Sequence, residues 1–444
     1  MAPAALRQLK KLLPDRHPLR LLWHRVKAFF AALRCGFPAH RLTVIGITGT
    51  DGKTTTVGMV AHILQECGVP AGALSTAFFR VKGDVTWNAT QKTSPSPAVI
   101  QSFLKKLTVS GCTHAVLECS SHGLTQGRVA WTWPAIAAIT NTSPEHLDYH
   151  GTMERYRADK GRLFRMLRTN GTKVLNADDA TYSLYRPLQG RTVSYSAKAD
   201  VKDSGDLRLW MTDMRADTSG VSATLHRGGD TLTRRLELPV AGAFNLENAL
   251  CALGCALGAG IDLDRAVTSL KSFHGVPGRI ERIDAGQPFS VFVDFTVTPA
   301  SYKRTLTTLR DSLSAGKRLF VLTGSCGDRM REKRPEVGKI CGEIADVVVV
   351  SNEDPYTENP DTIIDEVYAG LAGTRAETHR IPDRMEAIKF LFLRAKPGDA
   401  VILCGKGSDT TMWVKTGQIP WNERQIARDL LVAMSAMSVS SPRA

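Results

Sequence analysis

The segment Gly46-Ile47-Thr48-Gly49-Thr50-Asp51-Gly52-Lys53-Thr54-Thr55 most narrows what this chain can become. An apolar run, Leu42 to Ile47, precedes it, and a stretch with helical spacing (Val57, Val60, Ala61, Leu64) follows it. Strand, glycine-rich turn and helix in that order make a phosphate cradle. The glycines let backbone N–H groups reach an anion, the helix start adds its dipole, and Lys53 adds a positive charge. Five residues rather than four separate Gly46 from Gly52, the longer Gly-x-x-Gly-Thr-x-Gly-Lys-Thr variant. The loop predicts an ATP site built from Gly49, Thr50, Asp51, Gly52, Lys53, Thr54 and Thr55, with the Thr54 hydroxyl offered to Mg²⁺.

A chain of 444 residues has room for two or three domains with ample core. Its hydrophobic content of 43% and charged content of 23% are those of an ordinary globular protein. The formal charge of +14 is unevenly spread: residues 1–41 hold nine Lys or Arg and one Asp, a net +8, and the remainder holds +6. That distribution argues against nucleic-acid binding and suits small anionic substrates. The nine cysteines include no Cys-x-x-Cys pair; Cys112, Cys119, Cys251, Cys255 and Cys404 read as core thiols of a reducing compartment. With no transmembrane stretch and no signal peptide in view, a cytoplasmic location is expected.

The expected class is α/β, in three parts. Residues 1–41 read as a basic amphipathic helical segment, with Leu19, Leu22, Trp23, Val26, Phe29, Phe30 and Leu33 at helical spacing. Two readings fit that face: peripheral contact with a membrane, or packing on the following domain. Residues 42–278 read as a P-loop parallel-sheet ATPase domain with a small antiparallel hairpin sheet between about 200 and 240. The strand Ala115–Leu117 ends at Glu118, and Ile136–Ile139 ends at Thr140-Asn141, where open α/β sheets place ligand groups. Glu118 is thereby a candidate Mg²⁺ partner. Gly275-Val276-Pro277-Gly278 reads as a turn and hinge. Residues 279–444 read as a second, Rossmann-like α/β domain, with a frayed tail from Ser435.

Several stretches together resemble the Mur ligase family, most of all its UDP-N-acetylmuramyl-tripeptide synthetases. Beyond the loop at 46–55 they are Glu118-Cys119-Ser120-Ser121-His122-Gly123-Leu124, Gln126-Gly127-Arg128 and Thr140-Asn141-Thr142-Ser143-Pro144-Glu145-His146-Leu147-Asp148-Tyr149-His150-Gly151-Thr152-Met153. Lys160, Phe244-Asn245-Leu246-Glu247-Asn248, Gly275 to Glu281, Gly327-Asp328-Arg329, Glu353-Asp354-Pro355 and Gly405-Lys406-Gly407 follow in the family's order.

The resemblance implies an ATP-dependent carboxylate–amine ligase of peptidoglycan precursor synthesis. ATP activates a carboxylate as an acyl phosphate, and an amino acid is added to a UDP-muramyl dipeptide. Lys53, Glu118, His146 and Lys160 would be catalytic, with Thr54, Glu118, His146 and a CO₂-carbamylated Lys160 at Mg²⁺. Asn245, Asn248, Arg279 and Asp294 would join the loop in holding ATP. Thr93, Ser94, Ser120, Gln126 and Arg128 would hold the muramyl peptide, and Arg329, Glu353, Asp354, Gly405 and Asp409 the amino acid. The pattern departs from the family in three places. Only 45 residues precede Gly46, where the family carries a UDP-binding domain. Val297 stands where a histidine is usual, and Tyr356 replaces the arginine that follows the proline in diaminopimelate-specific members. With Glu353 and Asp354 beside it, that last change predicts a cationic side chain on the added amino acid. Two other readings remain: a relative acting on another acceptor, polyglutamate- or cyanophycin-like, and a non-catalytic ATP-binding regulator.

Overall fold

The computed structural model describes residues 14, 16–88, 90, 92–198 and 206–440, and the side chains of 437–440 are left aside. Residues 1–13 of the expected basic segment, 199–205 before the hairpin and the last four residues of the tail lie outside the described residues. Two compact units emerge. The first holds residues 1–214, 222–237 and 244–273; the second holds 215–221, 238–243 and 274–444.

The first unit is organised by the parallel strands β1 (Thr43–Thr48), β2 (Ala71–Leu74), β5 (His114–Glu118), β6 (Ile136–Ile139), β7 (Thr172–Asn176) and β8 (Arg191–Ser196). Their near-continuous burial fits the apolar runs inside β1, β5 and β6, while β7 and β8 also bury polar residues such as Lys173, Asn176 and Ser194. The hairpin β3 (Phe78–Val81) and β4 (Asp84–Trp87) extends one edge antiparallel to β2. At the other edge stand β9 (Leu207–Ala216), β10 (Val221–Arg227) and β11 (Arg234–Leu238). The order is β11-β10-β9-β8-β7-β6-β1-β5-β2-β3-β4, so the strands expected between about 200 and 240 are attached to the main sheet as its continuation. Hydrogen bonding makes the attachment: β9 pairs parallel with β8 and leaves its other edge for β10.

Helix α1 (Pro18–Cys35) ends at Gly36 in the left-handed conformation and packs on α2 (Pro97–Val109). The α2 residues Ile100, Phe103, Leu104 and Leu107 form a core cluster with Val44, Leu117 and Ile139. Helix α3 (Phe244–Gly258) uses small residues to approach the sheet: a Cβ on Gly254 would lie 2.6 Å from Val174 Cγ1.

The second unit is a six-stranded sheet of β12 (Glu281–Ile283), β13 (Ser290–Asp294), β14 (Leu319–Thr323), β15 (Val347–Val350), β16 (Glu377–Arg380) and β17 (Ala400–Cys404). Its order, β12-β13-β17-β14-β15-β16, is parallel except for β12. From β13 the chain advances in one direction through β14 and β15 to β16, and β17 then returns to lie between β13 and β14. A small hairpin, β18 (Thr411–Val414) and β19 (Gly417–Pro420), follows. The closing helix runs to Ser440, so the fraying expected from Ser435 does not begin there.

Behind this sheet Arg384 and Glu423 form a fully buried pair, at 2.5 and 2.8 Å. Arg384 also donates to the Asn352 and Cys404 carbonyls, tying the loops after β15 and β17 to one point. Removing one member of such a pair leaves an uncompensated buried charge. Arg384→Met is expected to destabilise the second unit by about 3–5 kcal/mol in denaturant titrations. A loss under about 1 kcal/mol would remove this pair from the account of stability.

Candidate active site

Glu118 stands at the carboxyl end of β5, one register step from the loop that follows β1: Ile47 pairs with Glu118. It is 1% exposed, and each of its carboxylate oxygens is engaged. The Thr54 hydroxyl lies 3.0 Å from both oxygens. Thr76 donates its backbone N–H at 2.7 Å and its hydroxyl at 3.0 Å. The side chain of Glu118 thus joins the end of β5, the segment after β2 and the first turn of the helix Lys53–Glu66.

The loop itself is held by β6. Thr50 N–H donates to the Asn141 carbonyl at 2.8 Å, Asp51 N–H to Asn141 Oδ1 at 3.0 Å, and the Thr140 hydroxyl to the Asp51 carbonyl at 2.5 Å. Two glycines are required by close approach. Gly49 has φ 149° with Thr140 Oγ1 1.8 Å from where a Cβ would sit; Gly52 has φ 76° with Asn248 Oδ1 at 2.0 Å. Asn248 in turn donates to Asn245 at 3.0 Å. Gly52 caps the helix without a side-chain hydrogen bond, so the first-turn N–H groups keep their capacity for an anion. The Lys53 ammonium rests on the Thr50 carbonyl at 2.6 Å.

Lys160 is 1% exposed, donates to the Gly49 carbonyl at 2.5 Å, and lies 4.3 Å over the Tyr156 ring. Burial, and then the positive charge of Lys53, hold its ammonium well below the usual lysine value. Tyr156 in turn meets the Thr50 hydroxyl at 2.9 Å. His146 is half exposed and in the left-handed conformation, φ 55°. Its ring lies 4.8 Å from that of His122, and its Nε2 3.8 Å from Glu145. Burial, then the neighbouring His146 and His150, push His122 down to about 4.

His150, Asp159 and Ser121 form a buried chain. Assigning the proton to His150 Nδ1 lets it donate to Asp159 at 2.8 Å and lets Nε2 accept from the Ser121 hydroxyl at 3.0 Å. The order mimics a hydrolytic triad, but all three residues are at most 3% exposed, so the chain is a structural clamp. Arg16 reaches it from ahead of α1, 2.7 Å from Asp159, and Arg162 binds the other carboxylate oxygen at 2.9 Å.

On the far side of Glu118, Ser94 donates to the Glu118 carbonyl at 3.1 Å and accepts from the Ser120 N–H at 2.9 Å. Arg128 donates to the Ser94 carbonyl at 2.8 Å and to Gln126 at 2.9 Å, while Thr93 meets the Thr76 hydroxyl at 2.9 Å.

In the second unit the candidate residues gather beyond the carboxyl ends of β13, β14, β15 and β17. Asp294 is 6% exposed and accepts from the Ile280 N–H at 2.7 Å; burial raises its carboxyl, opposed by Arg279. Arg279 lies 5.2 Å over the Phe295 ring. Gly278 abuts the next loop so closely that a Cβ would be 2.1 Å from Ser408 N. Lys406 is buried against Asp354 at 2.8 and 2.9 Å, with Asp409 at 3.5 Å. Glu353 is buried beneath Gly405, and burial raises its carboxyl. The geometry therefore gives no free pair of carboxylates for a cationic side chain. Arg329 instead lies 5.3 Å over Tyr356, which stacks on Trp413 at 5.4 Å. Asp328, Met330 and Tyr356 all have positive φ, a concentration of backbone strain in these two loops.

Residues 47–256 match the Mur ligase middle domain, and residues 278–407 match the Mur ligase glutamate ligase domain. The chain belongs to the Mur ligase family. It is 37% identical to a UDP-N-acetylmuramyl-tripeptide synthetase of Roseiflexus sp. (strain RS-1), over 91% of this chain and 81% of the relative. A UDP-N-acetylmuramoyl-L-alanyl-D-glutamate–2,6-diaminopimelate ligase of Nostoc sp. (strain PCC 7120) is also 37% identical, over 91% and 80%. Among solved structures, a UDP-N-acetylmuramoyl-L-alanyl-D-glutamate–2,6-diaminopimelate ligase superposes with a TM-score of 0.66 at 31% identity, covering 89% of this chain and 79% of that one.

Within this Mur ligase the first unit brings Lys53, Thr54, Glu118 and Lys160 to one end of the sheet, with Asn245 and Asn248 behind the loop. His146 is turned toward His122 and Glu145. Among the described residues no three His, Cys, Asp or Glu side chains converge on a point that could hold a metal ion. The oxygens of Thr54 and Glu118 nevertheless fit Mg²⁺, which takes one or two protein ligands together with phosphates and water. Sequence reasoning missed Thr76 and Tyr156. Thr76 had a legible signal, since Ser75-Thr76 closes a buried strand as Glu118 does; Tyr156 had none beyond its helical spacing from Lys160.

Arg16→Ala is expected to cost about 1.5 kcal/mol at neutral pH, the worth of a hydrogen bond to a charged group. Burial opposes ionisation of Asp159, but bonds from His150, Arg16 and Arg162 outweigh it and hold the carboxyl below its ordinary 3.8. Stability of this origin is present above the unfolded value and lost as pH falls through the folded one. The gap between wild type and variant should therefore shrink below about pH 3.8 in thermal unfolding. A gap that persisted unchanged into acid would sink the assignment.

Proposed function

We propose that this Mur ligase joins an amino acid to the carboxylate of a UDP-N-acetylmuramoyl dipeptide, with ATP as the driving reactant. The observation that carries the reading is the Glu118 junction. One buried carboxylate is bonded to the phosphate-loop residue Thr54 and, through its own main chain, to Ser94 of the Ser94–Ser120–Arg128 group. A phosphate-handling side and an anion-recognising side thus share a strand end.

In this mechanism the loop N–H groups and Lys53 hold the transferred phosphoryl group in line with the acceptor carboxylate. The carboxylate oxygen forms a bond to the γ-phosphorus as the bond to ADP breaks. The amino group then attacks the acyl phosphate carbonyl, and phosphate departs from the tetrahedral intermediate as the amide forms. Thr54 and Glu118 would hold one Mg²⁺, which neutralises charge on the phosphate oxygens. Asn245 and Asn248 are assigned to the nucleotide beside the loop. Thr93, Ser94, Ser120, Gln126 and Arg128 are assigned to the muramyl peptide, and Arg329, Glu353, Asp354, Gly405 and Asp409 to the amino acid.

The assay is phosphate release from Mg·ATP with UDP-N-acetylmuramoyl-L-alanyl-D-glutamate and single amino acids, with the product weighed by mass spectrometry. Release that depends on one amino acid and yields the matching tripeptide mass is expected. Amino-acid-independent release, or none, would reject this acceptor.

Lys160 is assigned a carbamate. Burial and the charge of Lys53 disfavour its ammonium; as the neutral amine it would add CO₂ and lose a proton to give an N-carboxylate. That group would offer oxygen to a second Mg²⁺ beside His146. After incubation with ¹³C-bicarbonate, wild type should show a carbamate carbon resonance that Lys160→Ala lacks, together with a loss of turnover in the variant. A wild-type spectrum without the resonance would remove CO₂ from the mechanism.

A further inference from the structure

Helix α1 carries a surface that the ligase chemistry does not use. Its packed side is made of small residues: Ala28 and Ala32 are buried, and the helix is fixed at its end by Phe29 and Phe37 against Trp131. The large apolar residues point elsewhere. Leu19 is 63% exposed, Leu22 56%, Phe30 61% and Leu33 51%, with Trp23 beside them. Residues 19, 22, 23, 26, 30 and 33 follow the i, i+3, i+4, i+7 pattern and so lie on one face. Of the two readings of that face, packing on the following domain does not hold for these residues.

Charge decides what covers it. Arg20, Lys27 and Arg34 recur every seven residues and form a stripe along one flank of the apolar face. Lys27 lies 5.2 Å over the Trp23 ring, joining the stripe to the apolar side. No acidic residue occurs in α1, and residues 1–41 together carry a net +8. Pairing with a second copy would set two such net-positive segments against each other. Among the described residues no helix is long and apolar enough to cross a bilayer, so α1 would lie on a surface and not span it.

We propose that α1 docks on an anionic lipid surface. Leu19, Leu22, Trp23, Phe30 and Leu33 enter the boundary between headgroups and acyl chains, and Arg20, Lys27 and Arg34 lie among the anionic headgroups. Such docking would bring the ligase to the membrane face without involving any residue assigned to catalysis.

The test is co-sedimentation of the full chain with phosphatidylcholine vesicles containing or lacking phosphatidylglycerol. Binding is expected to rise at least about tenfold with phosphatidylglycerol and to fall with added salt. The double variant Leu22→Asp, Phe30→Asp should lose binding while keeping its circular dichroism and ligase turnover. The triple variant Arg20→Gln, Lys27→Gln, Arg34→Gln should lose the phosphatidylglycerol dependence. Absence of wild-type binding to either vesicle would overturn the proposal, as would unchanged binding by both variants. A dimer by light scattering that the double variant dissolves would also overturn it, assigning the face to a second copy.

Discussion

A single buried carboxylate holds the first unit's functional end together. Glu118 accepts from Thr54, from the Thr76 hydroxyl and from the Thr76 N–H, so two other chain segments converge on its two oxygens. A carboxylate taken out of water demands such partners, because leaving its lone pairs unmet would cost more than any one bond returns. The demand explains why the segment after β2 is drawn under the phosphate loop. It also fixes the first turn of the helix that begins at Lys53. Neighbouring Cys119 feels the same burial, which with the Glu118 charge pushes its thiol up to about 12 and keeps it protonated.

The second constraint is steric. Gly49 and Gly52 let Thr140 and Asn248 approach to distances that any side chain would forbid. The loop is thereby clamped between the end of β6 and α3, while the helix that begins at Lys53 has no side-chain cap on its first N–H groups. Lys160 closes the back of the clamp from the Gly49 carbonyl, over the ring of Tyr156. Its low ammonium value and the carbamate assigned to it both follow from that position, because a cation in an enclosed space beside Lys53 is disfavoured.

The segment ahead of the loop has two faces with two chemistries. Arg16 and the small residues of α1 bind the first unit, the one through a buried aspartate and the others through close helix contact. The large apolar residues and the basic stripe remain outside. This division recurs in the second unit, where buried Arg384, Glu423, Lys406 and Asp354 neutralise one another beneath loops whose outer surface is the Arg329, Tyr356 and Trp413 stack. In both, internally paired charge anchors the segment, while aromatic or apolar residues and basic side chains face outward.

The sequence by itself determined the two α/β units, the phosphate loop and the strand-end position of Glu118. These rest on local spacing: apolar runs, glycines and a lysine within a few residues of one another. The ordered series of motifs from Gly46 to Gly407 was enough to imply the Mur ligase family. Tertiary structure alone decided the rest, because it depends on contacts between segments far apart in the chain. Spacing could not show that β9, β10 and β11 extend the main sheet, since hydrogen-bond partners across an edge leave no periodic trace. Nor could it show that Asp354 is neutralised by Lys406, 52 residues away. The same limit applied to α1: an amphipathic pattern says that a helix has an apolar face, and only packing says which face is covered. Here Ala28 and Ala32 fit against the neighbouring helix where bulkier side chains would not, which leaves Leu22 and Phe30 outside.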